Sequence, residues 1–319
     1  MCYTMIVNKQ LTTAQIKEDN IMTRVATWAN IGTDVMECQN VEEILTKSGL
    51  NYEVEKRPIF LENGYKIPNK VATVEVGTDR YIGTVSPSYV IYQNRDAFDF
   101  INQIPNIQYV KAGETRGGMV YIIGKLPSVT VLNDSFVPYV IFQTSHNGLY
   151  NVKATICPLR IVCQNQFAMS FKRMTNTIQV RHSANLVSKI EQAQQFITDT
   201  SIYMSGFSNT AEELALLKIG SDMDAYQIID AFFNSTKEIT ARQKSALEEK
   251  KTKLFDCYRA DDNANFRGTA WGLVNAFTDF ATHEEKKKTK NMDETKFMNV
   301  TFDTTMLNKL MMLMGASVK

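Results

Sequence analysis

The sequence has few of the side chains that usually carry acid–base chemistry or bind metals. It contains only three histidines, His146, His182 and His283, and none of them lies in an HxH or HxxxH pattern. Histidine titrates near neutral pH and is a common metal ligand, so this scarcity disfavours a histidine-rich metal site. Each histidine is typical of a polar residue that ends a strand or helix, although Ser145-His146 or Arg181-His182 could line a site.

Cysteine is also scarce, and its spacing is irregular. The five cysteines are Cys2, Cys38, Cys157, Cys163 and Cys257, with no CxxC pair among them. Structural zinc sites use such pairs, and secreted disulfide frameworks use an even number of cysteines. The opening residues, MCYTMIVNKQ, lack the apolar core of a signal peptide. We therefore predict free thiols in a reducing cytoplasm, no bound metal and no other cofactor.

Catalytic and membrane signatures are missing as well. The sequence contains neither GxxxxGK[ST] nor GxGxxG, the loops that hold nucleotide phosphates. Arg116-Gly117-Gly118 precedes a predicted strand, which indicates a hairpin turn with Arg116 exposed at its tip. The carboxylate pairs Asp222 with Asp224 and Asp261 with Asp262 are typical of helix starts. No apolar run approaches the roughly 18 residues of a membrane span, so we predict no membrane partner. The sequence also shows no established catalytic motif.

An excess of positive charge is lacking too. Lysine and arginine number 35 against 34 acidic residues, which gives a net charge of +1. A protein that coats duplex DNA usually carries a larger basic excess. Local basic grooves remain compatible with this balance, because net charge does not describe how charges are distributed.

The patterns that are present predict an α+β protein with a curved antiparallel β-sheet core, a packed helix and a helical C-terminal half. Candidate strands rich in Val, Ile, Tyr and Thr span 52–60, 71–76, 80–85, 107–111, 119–126, 139–144, 150–156 and 177–181. We divide the chain into an N-terminal arm with a short helix (1–49), a β-rich core (50–183) and a helical region packed on that core (184–319).

Local helix signals refine this prediction. Asn94 is expected to cap the helix that crosses the sheet, and Thr210 with Glu213 forms a capping-box pattern that indicates a helix start. Another helix is expected to begin near Gly268. Its apolar face predicts that Trp271 is buried near the seam between the two halves.

The most suggestive functional pattern is the mixture of tyrosines and basic residues in the β-rich core. On an exposed sheet face, tyrosines could stack on bases while lysines and arginines contact phosphates. The candidate nucleic-acid-binding residues are Arg116, Tyr121, Lys153, Arg160, Lys172, Arg173 and Arg181. The alternative is that tyrosine is simply a common strand residue and the charges form a solvated face.

Six strings resemble a known family. They are YIGTVSPSYVIYQNRDAF (81–98), AGETRGGMVYIIGKLP (112–127), TSHNG (144–148), TICPLRIVCQNQF (155–167), IQVRHSA (178–184) and GTAWGLVNAFTDFATH (268–283). In this order they resemble the phage/plasmid-like proteins of the domain of unknown function 932 family. That family has no catalytic assignment to carry over. The resemblance implies a phage, prophage or plasmid gene expressed in the bacterial cytoplasm, where such proteins often act on DNA.

Three classes of function follow as hypotheses. The leading one is a DNA-transaction protein that binds single-stranded DNA and forms a homo-oligomer along the strand, with strand annealing or recombination as its role. The second is a non-enzymatic protein–protein interaction factor, such as a phage inhibitor of a host defence enzyme, for which the balanced charge is favourable. The third is an enzyme whose site contains Arg160, Asn165, Arg181 and His182.

Overall fold

Two antiparallel sheets form the β-rich part of the computed structural model, which describes residues 25–170, 175–179, 186–234, 239–284 and 291–315. The strands are β1 (Thr33–Asp34), β2 (Val54–Phe60), β3 (Lys66–Glu75), β4 (Tyr81–Val85), β5 (Gln108–Glu114), β6 (Met119–Lys125), β7 (Val129–Val131), β8 (Asp134–Ser145), β9 (Lys153–Arg160) and β10 (Thr177–Gln179). One sheet has the order β1-β5-β6-β8-β9-β10, with β7 paired to β8, and the other has the order β2-β3-β4.

Most of the described helices follow the last strand, and together with two earlier ones they complete the α+β fold predicted from the sequence. The α-helices are α1 (Val41–Lys47), α2 (Asn94–Phe98), α3 (Leu186–Leu216), α4 (Asp222–Phe233), α5 (Ala241–Arg259), α6 (Ala270–Asp279), α7 (Met292–Phe302) and α8 (Thr305–Leu313). Short 3₁₀ helices span Asp99–Gln103 and Asp261–Phe266, and a π-helical turn spans Phe280–Glu284. No helix in these described ranges is both long and apolar enough to cross a lipid bilayer.

The seven-stranded sheet is covered on both faces. On one face, Ile122 and Phe142 pack in a core that also includes Phe196 of α3 and Phe100 of the first 3₁₀ helix. On the other face, Tyr121 packs with Trp28 and Phe297 of α7 in a second core. Because both faces are covered, every residue of β6 except Lys125 is buried. This burial explains why its sequence, MVYIIGK, is not a simple apolar–polar alternation.

A third core joins this sheet to the C-terminal helices, and Trp271 lies within it. The Trp271 ring stacks on Phe167 with ring centroids 5.6 Å apart, and it also contacts Phe136 of β8 and Phe207 of α3. Trp271 is only 1% exposed. The predicted burial of Trp271 at the seam is therefore confirmed.

Two predicted helix caps are wrong. Helix α3 continues from Leu186 to Leu216, so Thr210 and Glu213 lie within it and do not start a helix. Thr210 is buried there. Asn94 is the first residue of α2, but its side chain does not cap that helix; it donates from Nδ2 to the Leu50 carbonyl instead. In both cases tertiary packing overrides a local sequence signal.

Candidate nucleic-acid interface

The structure separates the predicted nucleic-acid-binding residues into several environments. Lys172, Arg173 and Arg181 lie outside the described residues, as does His182. Lys153 lies half-buried on β9, between Gln143 of β8 and Gln179 of β10. Arg116, Tyr121 and Arg160 lie within the described residues. Their burial can therefore be compared with the solvent exposure that a nucleic-acid-binding role requires.

Arg160 is not a surface residue, and this part of the prediction is wrong. Its side chain is buried and forms an ion pair with Asp134, in which Nη2 lies 2.6 Å from Oδ2. Nη1 also donates to Asn275 Oδ1 (3.2 Å), Nη2 donates to the Asp262 carbonyl (3.0 Å), and the guanidinium lies over the Phe266 ring. These contacts join β9 to α6 and leave no donor directed at solvent phosphate, so Arg160 has a structural role.

Tyr121 is also buried, because α7 covers its face of the sheet. The structure nevertheless brings it together with Arg116, since both line a cavity of about 290 Å³ beside the β5–β6 turn. Arg116 lies in that turn and is exposed, as predicted. Tyr121 therefore cannot act as a stacking platform on an open sheet face.

The three-stranded sheet carries the open aromatic surface that the larger sheet lacks. Strand β4 pairs only with residues 71–74 of β3, so the β2–β3 hairpin extends past it as a two-stranded ribbon. We call residues 58–70 the hairpin arm. All of them are exposed except Ile59 and Ile67, which are half-buried. An isolated two-stranded ribbon is marginally stable and has little core of its own.

Exposed aromatic rings are concentrated on and near this arm. Among the described residues, the exposed phenylalanines, tyrosines and tryptophans are Phe60, Tyr65, Tyr81 and Tyr92. Phe60, Tyr65 and Tyr81 are each more than half exposed, and so is Leu61 at the tip of the arm. Grouped apolar rings at a surface commonly mark an interaction site.

The charges near the rings differ in how they are neutralised. Arg57 pairs with Glu55 and Asp79, and Arg80 pairs with Glu75 and Glu114. Lys66 and Lys70 are exposed, and no described carboxylate lies within ion-pair distance of either. The arm therefore presents two ammonium groups without a described carboxylate partner, and Lys66 lies opposite Phe60 in the strand register.

The sequence also contains a local signal for this surface, although it lies outside the predicted nucleic-acid-binding residues. Asn63-Gly64 indicates a tight hairpin turn, and Phe60, Leu61 and Tyr65 flank it closely. Apolar residues that close to a hairpin tip cannot all reach a core.

Strand β4 and the Arg116 turn belong to neighbouring parts of the surface. Asn147 donates from Nδ2 to the Gly117 carbonyl at 2.8 Å. The backbone of Asn147 also lies directly against Gly83 of β4, where an added Cβ would come within 2.8 Å of the Asn147 Cα. In addition, the Arg80–Glu114 ion pair joins the start of β4 to the end of β5.

Of the residues in the enzyme hypothesis, Asn165 forms a buried polar contact between two of the family-like strings, whereas Arg181 and His182 lie outside the described residues. In the amide orientation that satisfies its neighbours, Asn165 donates to Asp279 Oδ1 (3.1 Å), and His283 Nε2 lies 2.9 Å from the Cys163 carbonyl. Burial raises the pKa of the Cys163 thiol to about 12, so this cysteine is protonated at neutral pH and is a poor nucleophile. Among the described residues, no cluster of His, Cys, Asp or Glu is suited to holding a metal ion.

His146 is buried and cannot act as an acid–base group near neutral pH. Its Nε2 lies 2.8 Å from Asn94 Oδ1. Because the Asn94 amide donates to Leu50, that oxygen accepts and Nε2 carries the proton. The buried Nδ1 has no partner among the described residues. The His146 pKa is lowered to about 4, mainly by desolvation; the nearby Glu114 opposes this shift and Arg80 adds to it.

This histidine predicts a pH dependence of stability. Above pH 6.5, its usual pKa, it is neutral in both the folded and unfolded states. Between pH 6.5 and about 4, the unfolded chain takes up a proton that the folded protein resists, so stability falls as pH falls. The full loss should be about 3 kcal/mol. The free energy of unfolding, measured with urea at several pH values from 4 to 7.5, should depend less steeply on pH in His146→Gln than in wild type. An identical pH dependence in the two proteins would contradict the lowered pKa assigned to His146.

Comparison with known proteins gives one match. A family model described as "Domain of unknown function (DUF932)" matches residues 81–301, more than half of the chain. The match includes β4, the Arg116 turn, the Trp271 helix and most of α7, whereas the hairpin arm precedes it. No curated protein and no solved structure matches the chain. The chain belongs to the DUF932 family.

Proposed function

We propose that this protein binds single-stranded DNA through the hairpin arm and β4. Phe60, Tyr65 and Tyr81 stack on bases, while Lys66 and Lys70 contact phosphates. The observation that carries the proposal is the concentration of exposed aromatic rings in residues 60–92, next to lysines that have no described ion-pair partner. Stacking of bases on aromatic rings combined with cationic phosphate contacts is how many proteins bind single strands.

The exposed rings favour a single strand over a duplex. In a duplex, both faces of each base are occupied by neighbouring bases, so an aromatic ring has nothing to stack on without unstacking a step. In a single strand the bases can separate and stack on protein rings, which contributes about 1–3 kcal/mol per base. The balanced net charge of the chain agrees with this mode, which depends less on phosphate neutralisation than duplex coating does.

Strand annealing or recombination is the biological role that we assign to this binding. Annealing requires several copies of the protein along one strand, so we propose that the chain acts as a homo-oligomer. The setting is the bacterial cytoplasm, where phage and plasmid DNA replicates. Sedimentation of the protein with and without a long oligonucleotide tests this step separately from binding itself.

The test is fluorescence anisotropy with labelled single-stranded oligonucleotides across a range of salt concentrations. Phe60→Ala together with Tyr65→Ala should weaken binding by at least about tenfold, because two stacking contacts are lost. Lys66→Ala together with Lys70→Ala should weaken binding at low salt and reduce the slope of log affinity against log salt by about 1.4, the contribution of two single-strand phosphate contacts.

A matched control comes from α5, whose N-terminal half is exposed. Arg242→Ala together with Lys244→Ala removes the same charge from another exposed surface and should leave affinity and salt slope almost unchanged. All of these substitutions are at exposed positions, so the variants should keep the wild-type unfolding midpoint. Wild-type protein that fails to bind single strands at low salt, or folded arm variants with wild-type affinity, would refute the proposal.

A protein partner is the alternative for the same surface. The exposed Leu61 and Phe60 favour it, since leucine contributes nothing specific to base stacking. In that case the folded wild-type protein would bind no oligonucleotide. The partner could be a host defence enzyme that the protein inhibits or a phage protein, and the arm variants would lose that interaction.

A further inference from the structure

A second feature lies beside the proposed DNA-binding surface, namely the cavity of about 290 Å³ that contains Arg116 and Tyr121. Its lining also includes Gly32, Glu114, Asp293 and Glu294. This volume is close to the lower bound of about 300 Å³ for small-molecule sites, so the cavity suits one small group and not an extended ligand.

The Tyr121 hydroxyl is the unusual polar group of this cavity. The tyrosine is only 2% exposed, and its hydroxyl makes no hydrogen bond to any described residue. The hydroxyl lies at the cavity wall beside Gly32, where an added Cβ would come within 2.5 Å of it. A ligand in the cavity that accepts from or donates to this hydroxyl would therefore gain a hydrogen bond without breaking one inside the protein.

Two of the four charged residues in the lining are already committed to protein partners. Both Glu114 oxygens accept hydrogen bonds from Arg80, at 3.3 and 3.2 Å. The Glu294 carboxylate accepts from the Arg116 backbone N–H at 3.1 and 3.2 Å. Asp293 and the Arg116 guanidinium are exposed and have no described ion-pair partner. A ligand would therefore meet an acceptor at Asp293, a cation at Arg116 and the Tyr121 hydroxyl.

The cavity continues the aromatic surface. Glu114 lines it, and the residue that binds Glu114, Arg80, directly precedes the exposed Tyr81. The Arg116 turn is also held against β4 through Asn147. The start of β4, where Tyr81 lies, is therefore joined to the lining of this cavity by the Arg80–Glu114 ion pair.

We propose that the cavity accepts one unstacked base of the bound strand and selects bases that carry an exocyclic amino group. This inference rests on the proposed function. The Asp293 carboxylate accepts from an amino group such as N4 of cytosine, whereas it repels the carbonyl oxygen that uracil carries at the same position. Arg116 contacts the adjacent phosphate, and the Tyr121 hydroxyl bonds to a polar edge of the base. Single-stranded bases are commonly read on these edges.

Oligonucleotides of deoxycytidine and deoxyuridine test the selection, because the two bases have the same ring size and lack the thymine methyl group. At pH 7.5, wild-type protein should bind the cytosine strand about five- to tenfold more tightly. Asp293→Asn should remove this preference, since an amide can present a donor or an acceptor. Tyr121→Phe should weaken cytosine-strand binding several-fold without lowering the unfolding midpoint, because it removes only an unpartnered hydroxyl.

The outcomes separate the cavity from the arm. Tyr65→Ala should weaken binding to both strands and leave the preference for cytosine intact. Equal wild-type affinity for the two strands, with the arm variants still impaired, would overturn the base site while keeping the proposed function. Absence of binding to either strand would overturn both. A preference that persists in Asp293→Asn and Tyr121→Phe would place the selection elsewhere and reject the cavity.

Discussion

Replacing Trp271 with alanine should lower the free energy of unfolding by about 3–5 kcal/mol. The indole is 1% exposed and is surrounded by Phe136, Phe167, Phe207 and Phe266. Those four rings come from different parts of the chain, so the cavity left by the substitution cannot collapse without moving several elements. Domains of ordinary stability unfold with about 5–15 kcal/mol, so this one change should remove a large share of the total.

Chemical denaturation followed by far-ultraviolet circular dichroism measures this effect without relying on tryptophan fluorescence. Trp271→Phe keeps an aromatic ring in the core and should cost less than the alanine variant. Leu216→Ala provides the control, since Leu216 ends α3 and is 77% exposed. That substitution should change stability by no more than about 0.5 kcal/mol. A Trp271→Ala midpoint equal to wild type would show that the ring does not hold the seam together.

The parts of the fold that follow from local pattern were predictable from the sequence. Val41, Ile44 and Leu45 are spaced for one helical face, and α1 buries all three before ending at Ser48. Similarly, Gly117-Gly118 forms the expected turn, in which Gly118 has a φ of +78°. In such cases the residues that decide the structure are neighbours in the sequence, so local chemistry is sufficient.

Features that depend on distant partners were not predictable in this way. Ile161 and Val162 are apolar residues of a kind that usually packs in a core, yet both are exposed because the chain turns back after Arg160. Gln164 lies in this turn with a φ of +57°, and Gln166 then pairs with Leu159. Which side of a tight turn faces solvent depends on the helices and strands that pack against it. Those elements are remote in sequence, so a local pattern does not reveal them.

The candidate site illustrates the same limit. Arg116 at a hairpin tip could be predicted as exposed from its own turn. The burial of Tyr121 could not, because it results from α7, which lies more than 170 residues further along the chain. Basic residues are usually solvated, and this expectation failed for Arg160 because its partner Asp134 lies on the adjacent strand and Asn275 on α6.

Arg160→Met should lower the free energy of unfolding by about 3–5 kcal/mol, the usual cost of removing one partner of a buried ion pair. The methionine can fill much of the volume of the arginine stem, so the loss is mainly electrostatic. Asp134 would keep a poorly solvated carboxylate without its cation, and Asn275 Oδ1 and the Asp262 carbonyl would each lose a donor. Urea denaturation at pH 7.5 measures the change.

The double variant Arg160→Met with Asp134→Asn distinguishes a lost charge pair from a packing defect. Once the carboxylate is neutral, no uncompensated buried charge remains, so the double variant should be more stable than Arg160→Met alone. If the two variants are equally unstable, the loss comes from packing and the ion pair is not its cause. Oligonucleotide binding gives an independent readout: at a temperature where Arg160→Met remains folded, its salt slope should equal that of wild type. A slope reduced by about 0.7, the contribution of one single-strand phosphate contact, would return Arg160 to the DNA-binding surface and contradict the buried position assigned to it.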